Sequence, residues 1–333
     1  MSGGEAADAS GALNPRISGN EPAVLDKNAS SAEEVVRVGR RRLRLTRLDQ
    51  RWWPEEDLAK RDVIEYYAAV APLLLPHLRN RPFTIKRHYN GPRSPFEWIK
   101  DAPAEMPTWI ATTAQPAKSR GGAIVHYPLV QDAASLLWMI EFGCIDLHVW
   151  SSRKDLPARP DNVLFDLDPH AVPFGQVVEA ARVLHAALET LGLSAYVKTT
   201  GGDGLHVHVP IARRHTYEEV RSFCRVVAAA LAASGNGLIT TAPRPRDRVG
   251  IFIDAKMNGG QQVVSAYSVR PQPGAPVAAP VTWDELKQGF DPRDLTMKTV
   301  LERAGTFGDL HSGALGGAQL LGPALARVGA APS

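Results

Sequence analysis

Cysteine is scarce in this chain of 333 residues: Cys144 and Cys224 stand alone, too few for a disulfide framework or a cysteine zinc site. Both sit among apolar residues and read as buried, reduced thiols of a cytoplasmic protein. No apolar run reaches the ~18 residues that a membrane span needs. The opening MSGGEAADAS has neither the basic start nor the apolar stretch of a secretory signal. Charge of one sign is also lacking. A net charge of +3 and a pI near 8.9 leave only a mild overall field. No internal repeat is present.

What is present suits an α/β or α+β layered fold. An apolar content of 44% is ample for a buried core. Residues 1–36, rich in Gly, Ala, Ser and Asn, read as a disordered extension. Residues 37–311 carry the alternating strand and helix patterns, and 312–333 form a Gly/Ala/Leu-rich tail. The spacing predicts a helix from Asp62 to Leu75, with Pro72 near its end, and helices over 174–191 and 217–233. Thr282 and Glu285 form a capping box. Strands are predicted at Ile145–Trp150, Val163–Asp168, Leu205–Ile211 and Val249–Asp254.

Successive side chains in a strand point to opposite faces. In IDLHVW the apolar residues share one face, and Asp146, His148 and Trp150 the other. In LFDLDP, Asp166 and Asp168 oppose Phe165 and Leu167; in LHVHVPI, His206 and His208 oppose the aliphatic set. Each strand has an apolar back and an ionisable front. Two adjacent carboxylates repel, and a divalent cation with hard oxygen ligands is their natural stabiliser. Asp254, ending GIFID, offers a third ligand. Such a set suits phosphoryl transfer by two ions, although aspartates also cap strands and open turns.

KTTGGDGLH joins two of these strands. Gly201, Gly202 and Gly204 allow backbone amides to approach an anion closely. Thr200 and His206 offer further donors. The same run also reads as a plain glycine hairpin turn, and His208 as structural. Arg270 follows a short strand in SAYSVR, and its planar guanidinium suits a triphosphate. Basic residues crowd two places, Arg40 to Arg51 and Arg244 to Arg248, where they can neutralise phosphates.

In combination, LTRLDQRWWP, RPFTIKR, LHVWSSR, VLFDLDP, TTGGDGLHVHVP, IFIDAKMN and AYSVRPQPGAP resemble the polymerase module of bacterial ligase D. That family lies within the archaeo-eukaryotic primase superfamily, and the resemblance runs from about Leu45 to Leu310. It implies an α+β primase-type core with an RNA-recognition-motif-like antiparallel sheet and a second αβ subdomain. It also implies Mn²⁺ or Mg²⁺ (two ions), ribonucleoside triphosphates, and gapped or primer-template DNA. Asp166, Asp168 and Asp254 would be the metal ligands. Thr200, Gly201, Gly202, His206 and Arg270 would hold the triphosphate, with His148 near the sugar and Arg248 as a further basic contact. Arg51, Lys60, Lys86, Phe96 and Trp98 would meet DNA, the two aromatics by stacking on the template.

Two positions depart from the family. Its loop reads S-G-G-K-G, so Thr200 keeps the hydroxyl but Asp203 reverses a charge, which Lys198 would have to offset. Gln50 stands where one of two 5′-phosphate-gripping lysines is expected; Lys60 is the other. Gap filling in DNA repair by a monomer is the expected role, ahead of non-homologous end joining or a non-catalytic nucleic-acid-binding module. No ligase-type K-x-D-G motif occurs, so a separate ATP-dependent DNA ligase is expected to seal the product.

Overall fold

Alternating apolar strands need something to cover their backs, and in the computed structural model two amphipathic helices do so. The structure describes residues 33–117, 120–234, 237–260, 262–316 and 319–329. Along the chain, β1 (Glu33–Val38) and β2 (Arg41–Thr46) form a hairpin, followed by α1 (Lys60–Leu78), β3 (Phe83–His88) and β4 (Phe96–Ile99). Next come α2 (Ala133–Glu141), β5 (His148–Val149), β6 (Asn162–His170), α3 (Phe174–Thr190), β7 (Tyr196–Thr199) and β8 (Leu205–Pro210). Then follow α4 (Tyr217–Ala233), β9 (Ile239–Thr240), β10 (Gly250–Ile253), β11 (Val263–Val264) and β12 (Pro280–Val281).

The larger sheet has the order β9-β10-β6-β8-β7-β12, antiparallel except for the β9–β10 edge. Val163, Phe165, Leu167, Val207 and Val209 are buried in the core, with Phe165 edge-on to Phe223 of α4. Helices α3 and α4 both pack on this sheet. Fully burying an aliphatic side chain contributes about 1.5–3 kcal/mol, so this interface holds the sheet and its ionisable front in place. A smaller antiparallel sheet, β11-β5-β3-β4, supplies the second wall of the site.

Several sequence expectations shift. Residues 33–36, assigned to the extension, begin β1, with Val36 buried opposite Leu43; residues 1–32 of that expectation lie outside the described residues. Helix α1 runs through both Pro72 and Pro76 to Leu78, because Leu74, Leu75 and Leu78 are fully buried and packing outweighs the missing amides. The expected strand over Ile145–Trp150 reduces to His148–Val149, since β3 and β11 pair only there. The tail from residue 312 contributes buried Leu321 and Leu325, with a helix at Gly322–Arg327. Thr282 and Glu285 do form the capping box. Both cysteines are buried and free. Among the described residues no helix is long and apolar enough to cross a membrane.

Candidate active site

Strand register brings the three aspartates together. Leu167 pairs with Ile253 across β6 and β10, and Asp168 with Phe252. One step further, the Asp254 amide donates to the Asp166 carbonyl at 3.0 Å. Paired residues share a face, so Asp166, Asp168 and Asp254 stand together in front of the sheet. Burial raises Asp166 to about 6, with Lys198 and Arg270 opposing the shift. Burial also raises Asp168 to about 6, and the charges of Asp166 and Asp254 add to it. Asp166 keeps a buried Oδ1 without a well-aligned hydrogen bond, although His206 Nε2 lies 3.2 Å away.

This donor set fits a divalent cation, because hard oxygens under mutual repulsion are what such an ion relieves. Among the described residues, however, no three His, Cys, Asp or Glu side chains already converge as a metal shell. The reason is visible at Asp254, whose Oδ1 accepts from the Lys256 amide at 2.8 Å and caps the turn that follows. Asp166 and Asp168 present their carboxylates directly; Asp254 adds one that is shared with its own backbone.

The next strand supplies nitrogen. His206 lies opposite Asp166 in the β6–β8 register, with Nε2 at 3.2 Å from Oδ1. Burial and the nearby Lys198 and Arg270 charges push His206 well below its ordinary range, so it is neutral. Lys198 sits behind it on β7, fully buried, with one long bond to the Thr199 carbonyl at 3.4 Å. Burial, then Arg270, lowers the ammonium to about 7. His208, expected to be structural, stacks edge-on to His311 and bonds none of the aspartates.

The glycine loop folds tightly over this cluster. Thr200 donates its hydroxyl to the Gly204 carbonyl at 3.2 Å and accepts from the Gly202 amide at 3.3 Å. Gly201 has φ +74°, and a Cβ there would lie 2.3 Å from Arg270 Cγ. Loop and arginine are therefore in direct contact. Asp203 is exposed on the rim, where with Pro169 and Arg293 it lines a neighbouring groove.

The second sheet completes the site. Asp146 is wholly buried and accepts from His148 Nε2 at 3.0 Å and Lys86 Nζ at 3.1 Å, with Arg270 at 3.9 Å. Burial alone would raise Asp146, but hydrogen bonds from histidine and the cations hold it well below the usual carboxylate range. Burial lowers His148 against the pull of Asp146. Phe96 and Trp98 are 51% and 46% exposed, so they are surface rings and not core aromatics. Trp98 is edge-on to His148 at 4.9 Å, Phe96 is tilted on His88 at 5.5 Å, and Lys86 lies 4.4 Å from the Phe96 ring.

The expected site residues divide accordingly. Asp166, Asp168, Asp254, His206, Thr200, Gly201, Gly202, Arg270 and His148 gather at the sheet front and the wall beside it. Arg248 stacks on Phe252 at 3.4 Å, and its charge acts on Asp168. Lys86, expected at the DNA, forms an ion pair with Asp146 inside the site. Lys60 is 1% exposed, with its ammonium held by Glu141 at 2.8 Å and the Thr46 carbonyl at 3.0 Å. Arg51 is exposed and paired with Asp57 at 2.9 Å. Sequence reasoning gave Asp146 no site role, although its alternation with His148 was the available signal, and gave Lys198 only that of offsetting Asp203.

Comparison with known proteins bears on the chain as a whole. The model of the LigD primase-polymerase domain matches residues 59–311. The multifunctional non-homologous end joining protein LigD of Pseudomonas aeruginosa is 36% identical over 238 residues, 70% of this chain and 28% of that protein. The protein of the same name from Mycolicibacterium smegmatis is 31% identical over 276 residues, 81% of this chain and 35% of that one. The chain thus spans about a third of these relatives. Among solved structures, the polymerase domain of Mycobacterium tuberculosis ligase D in complex with DNA aligns with a TM-score of 0.76 at 30% identity, covering 84% of this chain and 99% of that one. With most of its length matched in sequence and in structure, the chain belongs to the LigD primase-polymerase domain family of metal-dependent nucleotidyltransferases.

Proposed function

We propose that the chain extends a DNA primer across a short templated gap during repair, adding ribonucleotides in preference to deoxyribonucleotides and using two divalent ions, Mn²⁺ or Mg²⁺. The observation that carries this reading is the β6–β10 register, which puts Asp166, Asp168 and Asp254 on one face. These residues would hold the ions, which when bound activate the primer 3′-hydroxyl and neutralise the leaving pyrophosphate. The 3′-oxygen bonds to the α-phosphorus as the bond to the β-phosphate bridge breaks.

The remaining roles follow from placement. Thr200 fixes the glycine loop, and Arg270 with Lys198 places positive charge beneath it for a triphosphate. His148, oriented by Asp146, faces the space beside Trp98 where the sugar and template base would lie. Phe96 and Trp98 stack unpaired template bases. A DNA ligase then seals the product. End joining is a second reading, supported by the names of the relatives.

Primer extension on a gapped duplex tests the proposal, with ribo- and deoxyribonucleotides and Mn²⁺ or Mg²⁺ varied in turn. Metal-dependent incorporation favouring ribonucleotides is expected, and absence of incorporation overturns it. Gaps with a 5′-phosphate or a 5′-hydroxyl should be filled at similar rates, because Gln50 is neutral and Lys60 is committed to Glu141. Efficient joining of two overhanging ends with little gap filling would favour the second reading.

A further inference from the structure

The β1–β2 hairpin lies ahead of the segment that matches the family model. Its inward face is apolar and anchored: Val36, Val38, Leu43 and Leu45 are buried. Its outward face pairs Arg37 directly with Arg42, with Arg40 at the turn. All three are exposed, and among the described residues none has an acidic partner. Arg44, by contrast, is neutralised by Glu33 at 2.7 Å. Like charges directly opposite each other destabilise a two-stranded ribbon. The chain keeps that repulsion, and a polyanion relieves it.

Position says which polyanion. At the base of the hairpin, Thr46 and Arg47 line a cavity with His88 of β3. His88 is the ring against which Phe96 tilts. Ring contacts thus lead from His148 through Trp98 and Phe96 to His88, whose cavity reaches the base of the hairpin. Exposed rings take unpaired template bases, so DNA that continues beyond them lies on the far side of the gap from the primer. We propose that Arg37, Arg40 and Arg42 grip the sugar-phosphate backbone of the duplex downstream of the gap. The three arginines lie within about two residues of the turn, ~7 Å along the ribbon, which still spans several phosphates at one charge per ~1.7 Å of duplex axis. The proposal rests on the templated gap-filling reading above.

The test uses the full chain and two DNAs with the same primer and template, one carrying a downstream strand and one leaving the template single-stranded. Each is titrated across salt concentrations with wild type and with Arg37→Gln/Arg40→Gln/Arg42→Gln. On the gapped DNA the variant should bind at least about tenfold more weakly, and the log-log salt slope should fall by about 0.9 for each lost phosphate contact. On the open DNA, affinity and extension should match wild type. The corresponding triple lysine variant should keep the gapped-DNA slope. An unchanged slope on gapped DNA, equal losses on both DNAs, or a lysine variant as weak as the glutamine one overturns the assignment. Extension by wild type on the open DNA is read in parallel, so failure of the ribbon is distinct from failure of the polymerase reading.

Discussion

The backbone amide of Asp254 is bonded to the carbonyl of Asp166 at 3.0 Å, so carboxylates 88 positions apart in the chain are fixed by one rung of a sheet ladder. Geometry of that kind survives removal of the charge. Asp254→Asn keeps an oxygen for the Lys256 amide, and its melting temperature should stay at the wild-type value. Asp166→Ala, Asp168→Ala and Asp254→Asn should each slow extension at least about a thousandfold, or ~4 kcal/mol of barrier. DNA affinity should be unchanged or slightly higher, since negative charge is lost beside a polyanion. Residual extension above a tenth of wild type would remove the aspartates from the chemistry.

Burial raises Asp166 and Asp168 from the ordinary 3.8 to about 6, with repulsion from Asp166 and Asp254 adding to it at Asp168. The folded protein therefore binds these protons more tightly than the unfolded chain does. By linkage, this pair stabilises the fold below about pH 4 and loses that contribution as pH rises to about 6. Metal-free protein should lose stability across that window. Saturating Mn²⁺ should flatten the loss, because a cation takes over what the proton relieved. Extension should rise with pH through 6 as the pair ionises. Thermal melts from pH 4 to 7, with chelator and with Mn²⁺, read this directly; identical slopes in both conditions would contradict it.

The glycine loop makes a graded prediction. Gly201 has φ +74°, and a Cβ there would meet Arg270 Cγ at 2.3 Å and the Ala278 amide at 3.1 Å. A Cβ on Gly204 would lie 2.7 Å from the Leu167 carbonyl, on the strand that carries the aspartates. At Gly202 the nearest atom is 3.5 Å away, an ordinary contact. Gly201→Ala should displace Arg270 and raise the nucleotide KM about tenfold or more, ~1.4 kcal/mol. Gly204→Ala should lower kcat by disturbing the β6 end, while Gly202→Ala should behave as wild type. Steady-state kinetics for the three variants would separate these outcomes, and equal sensitivity at all three positions would show that loop contacts are not the cause.

Much of this site was legible in the sequence, because strand alternation is a local property. LFDLDP and LHVHVPI each declare an apolar back and an ionisable front, and a sheet needs only correct register to align them. What stayed hidden depends on partners remote in the chain. Lys60 reads as an accessible cation until Glu141, 81 positions away, takes its charge. Lys86 reads as a free cation, and its partner Asp146 lies 60 positions away, just ahead of the strand paired with its own. The strand at 145–150 contracted because pairing partners, and not its own pattern, set its length. The hairpin at 33–46 was missed, because its start blends in composition into the extension and its arginines read only as a basic cluster.

Phe96 and Trp98 close the set of expectations that the polymerase reading places on side chains. They share the outward face of β4, edge-on to each other at 6.0 Å. Half-exposed rings contribute little to the core, so Phe96→Ala and Trp98→Ala should each leave the melting temperature within a few degrees of wild type. Stacking on an aromatic ring contributes about 1–3 kcal/mol per base, so each change should weaken binding to a primer-template with a single-stranded overhang by about 5- to 150-fold. Binding to blunt duplex should not change, because it offers no unpaired base to stack. Trp98→Phe keeps a ring beside His148 and should recover most of the loss. A deficit on blunt duplex as large as on the overhang would assign the two rings to packing around Lys86 and His148, and not to the template.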